Sequence, residues 1–352
     1  MKKKVGIITI FKVNNYGAVL QALSLYKYFE TKGFDVELVD YDHPILNINF
    51  SVIRLGKNLL LRTLADIINF KSKSVLINKF KKFINDNINY SKRLKKENIE
   101  IYCNKFDLLI AGSDQIWNPA ILRSDHLDEV FFMNFIHRNK ISYASSFGGH
   151  QFSPHQIKCI NKILTTFKSV SVRENFSQKI TNKIKISEVL DPVFLNNASF
   201  YINLFNKEIK KYPNKSYTLF YFNKSSQYLD KIIKNIMNND DIYLINQNLN
   251  KYTLKALLKS NLKNISCAGI SEFLMYFSYA TKIYTNTYHG VCFAIIFNKD
   301  FYFVAKDPDK RIKTLLHNLG LSNRIIACST NLPSIDYKSV NHRLNELKQE
   351  AA

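Results

Sequence analysis

The sequence predicts an α/β protein built from two Rossmann-like, doubly wound domains that face a cleft. The chain has 352 residues, which is too long for one ordinary hydrophobic core and favours two domains. Short apolar runs typical of buried strands alternate with segments of helical periodicity, and this alternation occurs twice along the chain. Strands that alternate with helices form parallel sheets, which gives the doubly wound class.

The first series defines an N-terminal domain over residues 1–200. "KVGIITI" and "DVELVDYD" are strand-like, and "AVLQALSLYKYFETKGF" between them is helical in its spacing, with Gly33 placed to end the helix. Later strand-like runs end in small or polar loops: "FDLLIAG", "KISYASSFGG", "SVSVRENFS" and "SEVLDPVFL". In open α/β sheets, ligands bind where loops leave the carboxyl ends of strands, so these loops are candidate walls of a site.

The second series defines a C-terminal domain over residues 201–335, after a polar stretch near residues 195–215. Its strand-like and helical segments are "YTLFYFNKS", "QYLDKIIKNIMNN", "IYLINQN", "NISCAG", "SEFLMYFSYAT", "KIYTNT" and "FYFVAKD". Residues 336–352 are predicted to form a terminal helix. Two such domains facing a cleft are the GT-B type of architecture, which does not by itself fix a function.

The formal net charge of +22 favours an anionic partner. The abundance of Lys, Asn, Ile, Phe and Tyr, all encoded by A/T-rich codons, is an alternative origin of that charge. The N-terminal domain is assigned to the acceptor side and the C-terminal domain to the donor side. The basic, amphipathic segment near residues 50–100 is expected to be a solvated helix face, or a contact with a membrane surface or a lipid-linked substrate. The sequence carries no helix-turn-helix, zinc finger or RNA-binding aromatic motif, so no nucleic-acid partner is expected.

The protein is expected to be cytoplasmic. A peripheral contact at the inner face of the plasma membrane is a further expectation. No apolar stretch reaches the roughly 18 residues of a transmembrane helix, and "MKKKVGIITIFKV" is interpreted as a first strand rather than a signal peptide. The five scattered Cys argue against a disulfide framework, and neither Cys nor His shows metal-ligand spacing. No metal is therefore expected.

Six blocks of the sequence carry a resemblance to a known family: "NNYGAVLQALSLYKYFETKG", "FDLLIAGSDQIWNP", "SYASSFG", "SVRE", "LDPVFL" and "NTYHGVCFAIIFNKDF". In this order and spacing, the chain resembles the polysaccharide pyruvyl transferase family from about residue 5 to about residue 325. The resemblance implies a GT-B-like fold. It also implies transfer of a pyruvyl group from phosphoenolpyruvate to two hydroxyls of a sugar, on a cell-surface polysaccharide or its lipid-linked precursor. No cofactor beyond the donor substrate is implied.

That chemistry needs an acid, a base and positive groups for carboxylate and phosphate. His289, at a strand-to-helix junction, is a candidate acid or base, because histidine is the residue type whose unperturbed pKa lies near the working pH. Backbone N–H groups from Thr287 to Gly290 are expected to bind the anionic donor at the helix N-terminus, where Gly290 would let the backbone approach the ligand closely. A capping or core histidine is the alternative.

The sequence departs from the family at Thr287, where classical members carry an arginine two residues before the histidine. Arg173, Arg311 and Arg324 are the candidates to supply the missing charge, and Arg173 in "SVRE" is the first choice because a guanidinium can bind a carboxylate with two hydrogen bonds. A salt bridge of Arg173 to Glu174 or another neighbour is the alternative. The departure also favours the rival function, a GT-B-type nucleotide-sugar glycosyltransferase.

The block "GSDQIWNP" supplies the predicted acceptor side. Asp114 is the candidate base that activates a sugar hydroxyl, and Gln115 and Trp117 are expected to contact the acceptor, with Trp117 stacked on a sugar ring. The alternative is a structural loop in which Asp114 caps a turn and Trp117 lies in the core.

A second block, "NNYGA", adds Asn15, Tyr16 and Gly17 as acceptor contacts before a helix N-terminus. Asp191, before Pro192, is interpreted chiefly as a turn former. A non-catalytic scaffold of a glycan-assembly complex is a third class of function, and it predicts that no small ligand binds.

Overall fold

The computed structural model describes residues 2–52, 70–174, 185–213, 215–223, 241–246, 262–305, 307–326 and 332–350. The chain divides into two compact units, residues 1–196 with 346–352, and residues 197–345. The helix predicted at 227–239, residues 53–69 of the basic segment and Cys328 lie outside the described residues.

The first unit is a parallel α/β structure. Its elements are β1 (Lys4–Ile8), α1 (Tyr16–Thr31), β2 (Asp35–Leu38), α2 (Pro44–Asn49), α3 (Phe70–Asn87), α4 (Lys96–Cys103), β3 (Leu108–Ala111), β4 (Lys140–Ser142), α5 (Pro154–Leu164), β5 (Val170–Val172) and β6 (Ile186–Glu188). The sheet order is β2-β1-β3-β4, with every pairing parallel. The parallel pair β5-β6 continues from β4 through the isolated bridges Ile141↔Ser169 and Ser145↔Val172.

Gly33 ends α1 as predicted. Its φ of +88° lies in the left-handed region, and its N–H bonds to the carbonyl of Glu30 at 3.0 Å. The chain then turns directly into β2, and β1–α1–β2 is the βαβ unit that the sequence indicates. Because β2 and β3 lie on opposite sides of β1, the strand order reverses at β1/β3, and such a reversal is where ligands bind in sheets of this kind.

The second unit has its own parallel sheet. Its elements are α6 (Ala198–Asn206), β7 (Tyr217–Phe222), β8 (Asp241–Asn246), β9 (Leu262–Asn264), α7 (Ile270–Tyr279), β10 (Lys282–Thr285), α8 (Tyr288–Ile296), β11 (Asp300–Val304), α9 (Lys310–Asn318), β12 (Ile325–Ile326) and α10 (Tyr337–Glu350). The sheet order is β12-β11-β10-β7-β8-β9. Counted within the unit this is the Rossmann order, and its reversal point lies between β7 and β10.

Aromatic side chains dominate the core of the second unit. Tyr284 stacks on Phe220 at 5.0 Å between ring centroids and on Tyr302 at 4.9 Å, so one ladder of rings crosses three neighbouring strands. Such pairs stabilise sheets beyond the area they bury. Within the described ranges, no helix is both long and apolar enough to span a bilayer.

Candidate functional site

Two strand-end loops meet at the reversal point of the first unit. The hydroxyl of Thr9, just after β1, donates to the carbonyl of Ser113, just after β3, at 2.8 Å. Ser113 in turn donates to the carbonyl of Ala144 at 2.8 Å, and Asp114 forms an isolated bridge with Ser145. The loops after β1, β3 and β4 are therefore bound to one another, and this is the edge where the sequence places Asp114.

Asp114 has an uncommon backbone conformation. Its φ is +73°, a left-handed value that few residues other than glycine adopt, and its carboxylate accepts a hydrogen bond from the N–H of Gln115 at 2.8 Å. The side chain is 16% exposed, so solvent reaches the carboxylate. Backbone strain of this kind is found at functional sites, and Asp114 stays a candidate for the reactive carboxylate.

Arg173 is not available to a ligand in this structure. Its side chain has no exposed area, and Nη1 binds the equally buried carboxylate of Asp191 at 2.6 Å. Asp114 and Glu174 lie 3.7 and 3.9 Å from other nitrogens of the same guanidinium. The expectation that Arg173 clamps the donor carboxylate is therefore corrected, because this arginine is already surrounded by protein carboxylates.

Glu174 connects this charge cluster to the next loop. Its Oε1 accepts hydrogen bonds from Ser146 Oγ at 2.6 Å and from the N–H of Gly148 at 3.0 Å. Asp191 also accepts from the N–H of Val193 at 3.0 Å, as the sequence predicts for a turn former. Arg173 and its partners thus hold the loop that carries Asp114, and we assign them a positioning role.

Trp117 belongs to the core. It is fully buried, its ring stacks on Phe132 with 5.5 Å between centroids, and its indole N–H donates to the carbonyl of Phe131 at 3.0 Å. A ring enclosed in this way has no face open to a sugar, so the predicted stacking on the acceptor is wrong. Gln115 is half-buried and accepts from the Asn118 amide at 2.7 Å, and it remains a candidate contact.

The block "NNYGA" is mainly structural. Asn15 caps α1 by accepting from the N–H of Ala18 at 3.2 Å, whereas Tyr16 is fully buried against Phe80 and Gly17 is buried in the first turn. Tyr16 and Gly17 therefore cannot contact an acceptor in this structure, and only Asn15, which is half-buried, stays a candidate. The sequence could not predict this, because a helical pattern does not distinguish a buried tyrosine from an accessible one.

The junction of β10 and α8 forms the candidate site of the second unit. Thr287 is the N-cap of α8, and its hydroxyl accepts from the N–H of Gly290 at 2.9 Å. The hydroxyl of Thr285 accepts from the N–H of Thr287 at 3.1 Å and lies 3.0 Å from the other hydroxyl. The two threonine hydroxyls thus accept hydrogen bonds from the N–H groups of Thr287 and Gly290. These two N–H groups are therefore not available to the anion site predicted from Thr287 to Gly290.

Gly290 is required for packing rather than for approach to a ligand. A Cβ built on it would lie 2.3 Å from Thr285 Oγ1 and 2.6 Å from Thr287 Oγ1, which is far inside contact distance. The missing side chain therefore makes room for the paired hydroxyls, and this corrects the role given to Gly290 above. Thr285 is a residue that sequence reasoning missed.

The junction lies at the reversal point of its sheet. Asn223, just after β7, donates its N–H to the side-chain oxygen of Asn286, just after β10, at 3.1 Å. Burial raises the pKa of Tyr221, on β7, above its ordinary value, and a side-chain hydrogen bond joins it to Thr287. The ends of β7 and β10 are bound together where a Rossmann-type sheet binds its ligand.

His289 occupies the second position of α8 and is half-buried. Its imidazole lies edge-on to the ring of Tyr288, with 5.4 Å between centroids. On the same tyrosine, the guanidinium of Arg311 lies 5.6 Å from the ring centroid. Arg311 is held by Asp309, the N-cap of α9, at 2.6 Å through Nη2, and this contact with a weaker one through Nε uses two of its five N–H donors.

The structure brings Thr287, His289 and Arg311 into one contiguous group and places Arg173 in the other unit. Arg324 is buried against the carbonyl of Pro333 and lies over Tyr302, so it is a structural residue. Arg311, with a side chain 15% exposed, is therefore the candidate arginine that shares the aromatic neighbour Tyr288 with His289. Among the described residues, no group of His, Cys, Asp and Glu is arranged to hold a metal.

Comparisons with known proteins bear on the family and the fold. The family model "Polysaccharide pyruvyl transferase" matches residues 15–308. No significant match to a curated protein was found.

Among solved structures, UDP-N-acetylglucosamine 2-epimerase from Rickettsia bellii is similar, with 11% identity, coverage of 99% of this chain and 88% of that chain, and a TM-score of 0.51. UDP-GlcNAc 2-epimerase from Neisseria meningitidis, bound to UDP-GlcNAc, has 9% identity, coverage of 99% and 91%, and a TM-score of 0.48. At such identity the likeness shows the fold alone. The predicted GT-B-like α/β fold class is confirmed.

Proposed function

The chain belongs to the polysaccharide pyruvyl transferase family and is a transferase, and on that premise we propose that it transfers the pyruvyl group of phosphoenolpyruvate to a sugar. The acceptor is a cell-surface polysaccharide or its lipid-linked precursor. The observation that carries this proposal is the group of His289, Thr287 and Arg311 at the reversal point of the second sheet. It combines a titratable side chain, a helix N-terminus and a permanent cation.

The proposed reaction begins with protonation of C3 of the enol. His289 is the acid, because imidazole side chains are the commonest proton donors and acceptors in enzymes. Arg311 binds the donor carboxylate or phosphate, with the N-terminal dipole of α8 adding favourable potential. Protonation leaves C2 electron-poor, and a sugar hydroxyl attacks it as Asp114 accepts the hydroxyl proton. Phosphate leaves with the electrons of its bond to C2 and takes the proton held by Asp114. A second hydroxyl then attacks C2 and returns a proton to His289, which closes the cyclic ketal.

The proposal uses no cofactor besides the donor substrate. A lipid-linked acceptor would bring the protein to the cytoplasmic face of the plasma membrane, and the basic helix α3 is suited to a surface of anionic lipid.

A nucleotide-sugar glycosyltransferase is the second candidate. It is favoured by Thr287, a neutral cap at the position where classical members of the family carry an arginine.

The test is thermal stability of the purified chain with phosphoenolpyruvate and, separately, with a panel of nucleotide sugars. At about 100 times the dissociation constant, a specific ligand stabilises the folded state by about 2.7 kcal/mol. We expect stabilisation by phosphoenolpyruvate that is lost in His289→Ala and kept in His317→Ala, an exposed histidine of the same unit. Stabilisation by nucleotide sugars alone would replace the proposal with glycosyl transfer.

A further inference from the structure

The first unit contains a cavity of about 320 Å³ that no predicted site residue lines. It is enclosed by the loop after β1, the end of α2, one face of α3 and the segment that follows α3. Its volume lies at the small end of the range of about 300–1,000 Å³ typical of small-molecule sites, which suits one substituted sugar residue. The residues that matter for its chemistry are Lys12, Asn47, Phe50, Lys81, Asn85 and Arg93.

The cavity is positively charged. Lys12, Lys81 and Arg93 line it, and its lining includes no carboxylate. The acid behind it is Asp40, whose side chain is 6% exposed and binds Lys12 Nζ at 2.6 Å and Arg93 Nε at 3.8 Å. Asp42 is a second acid nearby and accepts from the Asn47 amide. Among the described residues, no carboxylate forms an ion pair with Lys81, so none of them competes with a ligand for this cation.

Aromatic rings hold two of these cations in place. The Lys12 ammonium lies 3.7 Å from the centroid of the Tyr90 ring, and the Lys81 ammonium lies 5.8 Å from that of Phe50. Both distances are within the range of a cation–π attraction. The rings thus restrict where the charges sit before any ligand arrives, which lowers the entropy cost of binding.

Amide groups complement the charges. Asn85, on the same face of α3 as Lys81, accepts from the hydroxyl of Tyr90 at 2.6 Å. That bond fixes the amide so that its NH₂ group is the remaining donor. Asn47 adds a second amide to the lining. The cations can bind an anionic group, the amides can bind hydroxyls, and the apolar ring can pack against a sugar ring. This combination matches a sugar that carries a negatively charged group.

We infer that this cavity binds a phosphorylated monosaccharide. Lys12 follows β1 and Asp40 follows β2, so the cavity opens at the carboxyl edge of the first sheet, where loops bind ligands in this class of fold. Taken together with the proposed function, on which this second step rests, the cavity holds the sugar phosphate of the acceptor. The donor group at His289 is in the other unit.

The experiment is titration calorimetry of the full chain with glucose, galactose, mannose and N-acetylglucosamine 1-phosphates. Glucose, inorganic phosphate and glucuronate are the comparison ligands. We expect at least one sugar phosphate to bind about tenfold or more tightly than glucose, phosphate or glucuronate, because both halves of the ligand make contacts. Lys81→Ala and Arg93→Ala should each weaken that binding about tenfold.

The matched control is Lys82→Ala. It removes the same charge from the neighbouring position of α3, where Lys82 pairs with Asp86 outside the cavity, and it should leave the affinity nearly unchanged. The inference is overturned if no sugar phosphate binds, if Lys81→Ala and Arg93→Ala bind as the native chain does, or if glucuronate alone binds.

Thermal stabilisation by phosphoenolpyruvate, measured on the same variants, distinguishes failure of the cavity inference from failure of the proposed function. If phosphoenolpyruvate stabilises the chain and no sugar phosphate binds, the cavity inference alone fails. If sugar phosphates bind in a Lys81-dependent way and phosphoenolpyruvate has no effect, the proposed function fails and the cavity keeps its ligand.

Discussion

The guanidinium of Arg311 lies over the ring of Tyr288, 5.6 Å from its centroid. The imidazole of His289 also contacts this ring, with 5.4 Å between the two ring centroids. A permanent cation and the candidate acid therefore share one aromatic neighbour. This relationship joins residues 22 positions apart, and under the proposed function Arg311 supplies the charge that Thr287 does not.

Arg311→Ala should weaken phosphoenolpyruvate binding about 10- to 150-fold, because a charge-assisted contact to an anion contributes about 1.5–3 kcal/mol. The measurement is the ligand concentration that gives half-maximal thermal stabilisation. Lys313→Ala is the control, since it removes a charge from the same helix where Lys313 pairs with Asp307. Equal weakening in both variants would mean that only the general field of α9 matters and not the position of Arg311.

Arg173→Met should destabilise the first unit by about 3–5 kcal/mol, because it leaves buried carboxylates without their cation. Urea unfolding followed by tryptophan fluorescence is the measurement, since the chain's one tryptophan, Trp117, lies buried in that unit. Arg311→Met, at a partly exposed ion pair, should cost less than about 1 kcal/mol. An unchanged urea midpoint for Arg173→Met would contradict the positioning role.

Gly290→Ala should destabilise the second unit by about 1–3 kcal/mol. Helix propensity alone favours alanine by about 1 kcal/mol, but the new Cβ would lie 2.3 Å from Thr285 Oγ1, and such overpacking outweighs that gain. Thermal unfolding of Gly290→Ala and of Gly290→Ala with Thr285→Ala is the comparison. The second change should recover part of the loss, and a stabilised single variant would show that Gly290 is not a packing requirement.

His43 should give the chain a specific sensitivity to acid. Burial lowers its pKa below the ordinary value, while the nearby Asp128, 3.7 Å away, acts in the opposite direction. Below about pH 6.5 the unfolded chain takes up a proton that the folded chain resists, so the contribution to stability is present above that pH and is lost as the pH falls.

The measurement is the free energy of unfolding between pH 7.5 and about pH 5 for the native chain and His43→Gln. The native chain should lose stability more steeply toward low pH. Parallel curves would mean that His43 titrates alike in both states.

Much of the fold could be read from the sequence because buried parallel strands are short apolar runs bounded by small residues. The same rule brought Asp114 and His289 to the carboxyl ends of β3 and β10. It works because strand and loop depend on local residue types.

What the sequence could not give were partners chosen by tertiary structure. Arg173 binds Asp191, which is 18 positions away, and nothing local distinguishes that arginine from one that faces a ligand. Trp117 was misjudged for a similar reason, since a flat ring serves a core or a sugar equally well. The cavity lined by Lys12, Lys81 and Arg93 is formed by four separate parts of the chain and has no motif of its own.

Under the proposed function, the left-handed backbone at Asp114 puts thermal stability and catalysis in conflict at one residue. Glycine or asparagine would adopt a φ of +73° at lower cost than aspartate, and neither carries a carboxylate. A library selected only for survival of heating should therefore accumulate glycine or asparagine at position 114. One selected for glycan modification as well should retain aspartate there despite its conformational cost.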